Sequence, residues 1–450
     1  MKRKIYDKLL AWKANGAGKT ALLIDGARRV GKSYIVEAFA KTEYRTYLLI
    51  DFNNAGDDIV DLFRNHLNDP DALFMYLSGY YNVKLHKRES LIVFDEVQMC
   101  PRARTAIKYL VKDGRFDYIE TGSIVSIKKN VKDIVIPSEE RHIRMYPMDF
   151  EEFLWAMGNE TLIPILFECF KEMKPLGQSM HRKAMNLFRQ YLIVGGMPQA
   201  VAEYCKSLDF DTVDQIKRDI LTLYRADILK HANGYEIKAA GIFDEIPAQL
   251  SKHEKKFKLS SIKKDARFRN YEDALFWLDD ARIINTCYNS TEPNIGLKMN
   301  MDRLTLKCYM ADTGLLISHA FDEKGLVTKE IYKKLLFDKL AVNKGMIIEN
   351  IVSQMLACSG HRLYFYSNPS REDSASRMEI DFLVAKDKIG SRHNILPIEV
   401  KSGKNYTLTS IRKFRDKYRA GLHTPYVIHT DDLKTEDGFV YLPVYMTPFL

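Results

Sequence analysis

The alternation of apolar and polar positions changes character along the chain. Up to about residue 150, short apolar runs alternate with helical spacing: TALLID at 20–25, TYLLIDF at 46–52, SLIVFDE at 90–96, DYIETGS at 117–123 and HIRMYPMDF at 142–150. Runs this short and this uniformly apolar predict strands buried on both faces, and the helices between them predict parallel pairing. From 151 to about 245 the strand runs give way to helical periodicity, as in FEEFLWAMG and DQIKRDILTLYRADILK. Residues 246–285 read as helix, basic loop and helix (YEDALFWLDDARII) leading into a strand, the order of a winged-helix unit. Further on, a helix over 344–358 precedes RLYFYS, EIDFLVA, ILPIEVK, a basic helix and PYVIHT, a second α/β pattern. The pattern thus predicts four parts: 1–150 with a parallel sheet, 151–245 helical, 246–330 winged-helix-like, and 331–450 α/β.

Composition agrees with several folded units. The chain has 450 residues, 46% hydrophobic and 28% charged, too apolar for general disorder. Its six cysteines are scattered without a CxxC pair, and its eleven histidines form no HExxH or HxH pattern, so neither a zinc site nor a histidine metal centre is supported. There is no signal-like apolar stretch and no span of about 18 apolar residues. The expectation is a cytoplasmic protein with reduced thiols and no membrane partner.

Charge is more informative by position than in total. Of the formal +9, windows 251–270 (eight basic, two acidic) and 401–420 (seven basic, one acidic) carry +12 together, leaving −3 for the rest. Two basic faces of this kind point to a polyanion, and DNA is the expected partner.

The first chemical motif is GARRVGKS: Gly26, Ala27, Arg28, Arg29, Val30, Gly31, Lys32 and Ser33 satisfy GxxxxGK[ST] between the run LLID and the helix SYIVEAFA. Glycines let backbone N–H groups turn onto a phosphate, and the following helix N-terminus adds its dipole. Lys32 is then placed for the β- and γ-phosphates and Ser33 for Mg²⁺. In LIVFDEVQ, a buried strand delivers Asp95, a candidate Mg²⁺ ligand, and Glu96, a candidate general base. The next strand ends in ETGS, offering Thr121 or Ser123 to the γ-phosphate or the attacking water, with Ser123 the favoured sensor. No NKxD guanine-reading motif is present, which favours ATP over GTP.

In this order of motifs the chain resembles the AAA-type P-loop ATPases. The resemblance extends to a widespread prokaryotic family in which such an ATPase is fused to a C-terminal domain of unknown function. It is carried by RHIRMYPMDFEEF at 141–153, VGGMPQAV at 194–201, KCYMADTGLL at 307–316, GMIIEN at 345–350, EIDFLV and PIEVKSG. It implies a helical lid after the ATPase sheet, a nucleotide-contacting arginine finger at Arg141, where Glu140 replaces the usual glycine, and assembly of several copies.

The C-terminal residues Asp381, Glu399 and Lys401 reproduce the D…ExK arrangement of restriction-endonuclease-like folds, which the family's C-terminal domain also resembles. Residues two apart on a strand share a face, so Glu399 and Lys401 project together. Two carboxylates could hold Mg²⁺ against a phosphodiester with the lysine beside it, and Glu349 in IIENIV is a fourth candidate. The leading expectation is a Mg·ATP-hydrolysing, DNA-associated enzyme; the alternative is a nucleotide-dependent switch whose C-terminal domain binds DNA or protein without cutting.

Overall fold

A computed structural model describes residues 1–122, 139–232, 234–252, 255–294, 296–321, 329–337, 339, 344–369, 376–386, 394–403, 405–419 and 421–450. The chain divides into two compact units, Met1–Tyr146 and Pro147–Leu450.

The first unit is built on five parallel strands: β1 (Ala21–Asp25), β2 (Thr46–Asp51), β3 (Ser90–Asp95), β4 (Asp117–Gly122) and β5 (Glu140–Arg144), in the order β2-β3-β4-β1-β5. Every residue of β1, β3 and β4 is buried, which fits the apolar runs Ala21–Ile24 and Leu91–Phe94, while β4 also buries Asp117, Glu120 and Thr121; edge strand β5 is largely exposed. Parallel pairing needs crossovers, supplied among others by α2 (Lys32–Glu43), α3 (Asp57–Asn65), α4 (Pro70–Tyr81) and α5 (Pro101–Asp113), after an opening helix α1 (Ile5–Asn15). Local chemistry sets their limits: Asp69 caps α4 through the Ala72 N–H with Pro70 in the first turn, and α5 starts at Pro101 and stops at Gly114, whose φ is 70°. The core beside β2 and β3 is closed by Phe52, Phe63 and Phe94, packed edge to face with centroids 5.4–5.7 Å apart.

Arg104 of α5 is buried between two carboxylates, Glu120 of β4 and Glu140 of β5, and bonds both. Glu140 therefore fills a structural position. Burial pushes Glu120 well above the ordinary carboxylate range, with Arg104 opposing and Glu140 adding. Burial also works against Glu140, but bonds from His142 and Arg104 hold it below that range. Glu140 thus contributes stability above the ordinary carboxylate pKa and loses it as pH falls below that value, while Glu120 has the opposite sign. Arg104→Met is expected to cost about 3–5 kcal/mol, because it strands two buried acids. By urea denaturation at pH 7, Glu120→Gln should unfold close to wild type and Glu140→Gln clearly earlier; the reverse order would refute this assignment.

The second unit opens with helices Phe150–Ala156, Leu162–Glu172, Gln178–Val194, Pro198–Ser207, Phe210–His231 and Glu236–Ser251. The run expected as a strand to residue 150 is shorter: β5 ends at Arg144, and Asp149 forms a capping box with Glu152 that starts the first of these helices. Helix Glu272–Asp280 leads into the hairpin β6 (Ile284–Ser290) and β7 (Met301–Met310). After helices Thr313–Ala320, Lys329–Leu336 and Lys344–Cys358 come β8 (Tyr364–Asn368), β9 (Met378–Ala385), β10 (Ile395–Val400), helix Thr409–Tyr418, β11 (Tyr426–His429), β12 (Lys434–Glu436) and β13 (Phe439–Pro443).

All eight strands form one mixed sheet, in the order β12-β13-β11-β10-β9-β8-β6-β7. The hairpin, read from sequence as part of a winged helix, pairs with the C-terminal strands through Tyr288 opposite Tyr364, so the sheet continues across the boundary expected at residue 330. Pairing with β8 occupies an edge of β6 that a free-standing hairpin would leave open.

Two family segments of unassigned role, VGGMPQAV and KCYMADTGLL, meet here. Buried Asp312 accepts the Gly196 N–H at 2.6 Å and the Leu315 N–H at 2.9 Å, joining the end of helix Gln178–Val194 to the start of helix Thr313–Ala320.

Candidate functional site

The loop between β1 and α2 is held at the carboxyl edge of the first sheet, where open α/β sheets place their ligands. Its first glycine is required by packing, since a Cβ on Gly26 would lie 2.4 Å from the Met145 carbonyl oxygen. Met145 also donates its N–H to the Asp25 carbonyl at 2.7 Å, so the chain leaving β5 lies against the loop. Gly31 has φ 92°, the left-handed conformation that turns the loop into α2.

Lys32 begins that helix and is buried, with Nζ donating to the carbonyls of Gly26 at 3.0 Å and Ala27 at 3.1 Å. Burial lowers its pKa, against the pull of Glu96, Asp95 and Asp25. Arg28 and Arg29 are exposed, and Val30 is buried.

The start of α2 and the ends of β3 and β4 bring the remaining groups to this loop. Ser33 donates its hydroxyl to Asp95 Oδ1 at 2.9 Å, and Thr121, opposite Ile24 at the end of β4, bonds the same oxygen. Glu96 follows β3 in a left-handed conformation (φ 51°, ψ 47°), its N–H donating to Thr121 Oγ1 at 3.3 Å and its carboxylate accepting from Gln98 Nε2. Strain of this kind at a non-glycine residue costs about 1–3 kcal/mol and is concentrated at functional sites. Ser33 Oγ and Asp95 Oδ1 give adjacent hard oxygen donors, a set that fits Mg²⁺. Ser123 lies outside the described residues; Thr121 and Gln98 are the hydroxyl and amide that touch the two acids.

Arg141 is exposed and pairs with Leu22, three residues short of the strand edge that carries the loop. That separation is about 10 Å at strand rise. The arginine at the loop edge is Arg144, whose Nε lies 3.5 Å from Asp25 Oδ2.

The second unit brings Glu349, Asp381, Glu399 and Lys401 together, and surrounds them with residues that the sequence reading omitted. Lys401 Nζ bonds Glu399 Oε1 at 2.7 Å, and Val400 N–H donates to Asp381 Oδ2 at 2.8 Å. Between the acids is Lys307 of β7, 1% exposed, with Nζ 2.9 Å from Glu379, 3.3 Å from Glu349 and 3.4 Å from Asp381. Lys255 and Tyr309 also bond Glu349, and Lys256 lies 3.8 Å from Glu379. Burial disfavours the Lys307 ammonium, but Glu349, Glu379 and Asp381 outweigh it and hold its pKa well above the ordinary lysine value. Glu399 is pushed up to about 8, by burial first and by Asp381 second, and its Oε2 is buried without a hydrogen-bond partner.

A divalent ion on Asp381 Oδ1 would have to share that oxygen with the Lys307 ammonium, 3.4 Å from it, a like charge that opposes the ion. Among the described residues no three His, Cys, Asp or Glu side chains are grouped as a metal ion would require. The charge around this centre does not fit Mg²⁺. Glu379 could have been found as the i−2 neighbour of Asp381, whereas the approach of Lys307 depends on strand pairing.

The basic windows also separate. In the first, Lys258, Lys263, Lys264, Arg267 and Arg269 are exposed in the turns before helix Glu272–Asp280, with Asp265 as the acid among them. In the second, Lys401 belongs to the acidic centre, Arg412 is 3.4 Å from Asp437, and Arg415 donates to the Asp437 carbonyl and stacks over Phe439. The exposed cationic surface is therefore at 258–269 more than at 401–420. All six cysteines are free thiols, and among the described residues no helix is long and apolar enough to cross a membrane.

Comparison with known proteins assigns three segments. Residues 18–154 match the AAA domain family, residues 185–324 a domain of unknown function (DUF8612) and residues 344–446 a domain of unknown function (DUF4143). The first segment thus carries an AAA-type P-loop fold. No curated protein matches the chain. Among solved structures, the Aeropyrum pernix ORC1 protein in complex with DNA is 10% identical, covering 72% of this chain and 92% of that chain with a TM-score of 0.28. AMPPCP-bound DnaA from Aquifex aeolicus is 14% identical, covering 63% of this chain and 88% of that one with a TM-score of 0.29.

Proposed function

We propose that this chain is a Mg·ATP-hydrolysing ATPase whose second unit binds DNA. The observation that carries the first part is the convergence of Lys32 and Ser33 from the start of α2 with Asp95, Glu96 and Thr121 from the ends of β3 and β4. Mg²⁺ entering with ATP would be held by Ser33 and Asp95, and supplies charge neutralisation at the phosphate oxygens. Backbone N–H groups from Gly26 to Gly31 cradle the phosphates, and Lys32 exchanges its loop carbonyls for phosphate oxygens. Glu96 accepts the proton of the attacking water, with Gln98 fixing its carboxylate and Thr121 fixing Asp95. Ser123 keeps the sensor role its place in ETGS proposes. A finger role for Arg141 requires a second copy of the chain, because Arg141 is set back from the loop edge of its own sheet.

Phosphate release from ATP and from GTP tests this reading. Turnover with ATP in preference to GTP, lost in Lys32→Ala, is expected; the same release from wild type and Lys32→Ala would refute it.

DNA association rests on the exposed cations at 258–269. Each cation that neutralises a phosphate contributes about −0.9 to the slope of log affinity against log salt. The triple variant K263E/K264E/R267E should therefore weaken duplex binding and reduce the slope by about 3, measured by fluorescence anisotropy between 50 and 200 mM salt. An unchanged slope would place the DNA elsewhere or nowhere. The acid and lysine cluster of the second unit favours binding without cleavage, and free thiols are in keeping with a cytoplasmic setting.

A further inference from the structure

The acidic centre of the second unit carries the residues of a D…ExK motif but not the charge of a metal site. Four carboxylates, Glu349, Glu379, Asp381 and Glu399, stand against four ammonium groups, Lys255, Lys256, Lys307 and Lys401. A metal-dependent hydrolytic centre keeps an excess of carboxylate that the cation offsets. Here that excess is already cancelled by side chains of the same chain.

The geometry of Lys307 makes this a built arrangement rather than an accident of surface charge. Its side chain is 1% exposed, and its three donors reach three acids from two elements: Glu349 on helix Lys344–Cys358, and Glu379 and Asp381 on one face of β9. Glu349 is saturated by Lys255, Lys307 and Tyr309, and Asp381 has one oxygen on Lys307 and the other on the Val400 N–H. Among the described residues, Glu399 Oε2, next to Lys401, is a buried carboxylate oxygen of this cluster without a hydrogen-bond partner. A divalent ion would have to take Asp381 Oδ1 from a buried ammonium that has no water to retreat into.

We infer that Lys307 is a resident counter-ion that occupies the electrostatic place of a metal, so that the D…ExK centre of this chain takes up no divalent cation and cuts no phosphodiester. The centre instead ties the hairpin β6–β7, helix Lys344–Cys358 and strands β9 and β10 together. The arrangement assigns the two basic windows a shared internal role as well, because Lys255 and Lys256 come from one and Lys401 from the other.

The test is Mn²⁺ titration of the full chain without nucleotide, with free Mn²⁺ read by electron paramagnetic resonance. Wild type and Asp381→Asn should give superimposable isotherms, and supercoiled plasmid should remain intact with Mn²⁺. Lys307→Met should gain one Mn²⁺ per chain with at least tenfold tighter binding than wild type, and the double variant K307M/D381N should lose it. Mn²⁺ uptake or plasmid nicking by wild type that Asp381→Asn abolishes would overturn the inference, as would a folded Lys307→Met that gains no ion. If circular dichroism shows Lys307→Met to be unfolded, Lys307→Gln, which removes the same charge but keeps an amide for the acids, carries the same expected gain and the same refutation. ATP hydrolysis by the first unit is measured separately, so failure of one reading does not imitate failure of the other.

Discussion

Glu96→Gln is expected to slow ATP turnover by about 10²–10⁴-fold, the usual worth of a positioned general base, while nucleotide affinity stays within a few-fold of wild type. The split follows from where the residue stands. Lys32 and the loop backbone supply the binding contacts, whereas Glu96 is past the end of β3, held by Gln98. Glutamine preserves the size and one acceptor oxygen but cannot take a proton. Phosphate release and binding of a fluorescent ATP analogue, measured on the same preparations, separate the two effects. Equal release rates in wild type and Glu96→Gln would remove Glu96 from the chemistry, and a parallel loss of binding would recast it as a structural residue. Thr121→Val provides the contrast: it leaves Glu96 a base but unpins Asp95, so its defect should fall between the two.

Asp312→Ala should produce the largest stability loss in the second unit, about 3–5 kcal/mol by analogy with breaking a buried charged network. The residue is fully inside the protein and satisfies two backbone N–H groups on different segments, Gly196 and Leu315. Burial pushes its carboxyl above the usual range, and the two N–H bonds and Lys217 pull it back. Alanine would leave both N–H groups buried and unpaired, and would also uncap helix Thr313–Ala320. Asp312→Asn keeps one acceptor oxygen, enough for one of the two N–H groups, and sets its NH2 against the other, so it should fall midway. Urea denaturation of the full chain checks this; a midpoint within error of wild type for Asp312→Ala would show that the two family segments are joined by something other than this carboxylate.

What could be read from the sequence, and what could not, divides by the range of the interaction. The P-loop, the buried strand ending in Asp95 and Glu96, and the five strands of the first unit were legible because each is a local pattern. The choice between Thr121 and Ser123 was not, since residues two apart on a strand share a face and periodicity cannot separate them. Register sets Thr121 opposite Ile24, beside Asp95, while Ser123 lies outside the described residues. Register likewise moves attention from Arg141 to Arg144, which pairs with Asp25 at the loop edge. In the second unit, Asp381, Glu399 and Lys401 were legible as a motif, but the motif's meaning rests on Lys307, 74 residues before Asp381, brought in by a hairpin whose partner strand no local pattern reveals.

The strand order of the first sheet has a consequence for how the chain is made. β1 leaves the ribosome before β4 and β5, the strands it pairs with, so Leu22 waits for Ile119 and Arg141. Until then the apolar side chains of Ala21–Ile24 lack their strand partners, and unpaired apolar strands of this kind favour aggregation. The same delay makes nucleotide a folding ligand: the loop, Asp95 and Thr121 coexist only once the central strand is inserted, so ATP binds the finished unit alone and draws the equilibrium towards it by mass action. Recovery of folded protein from denaturant should accordingly rise with ATP concentration, before any turnover has taken place.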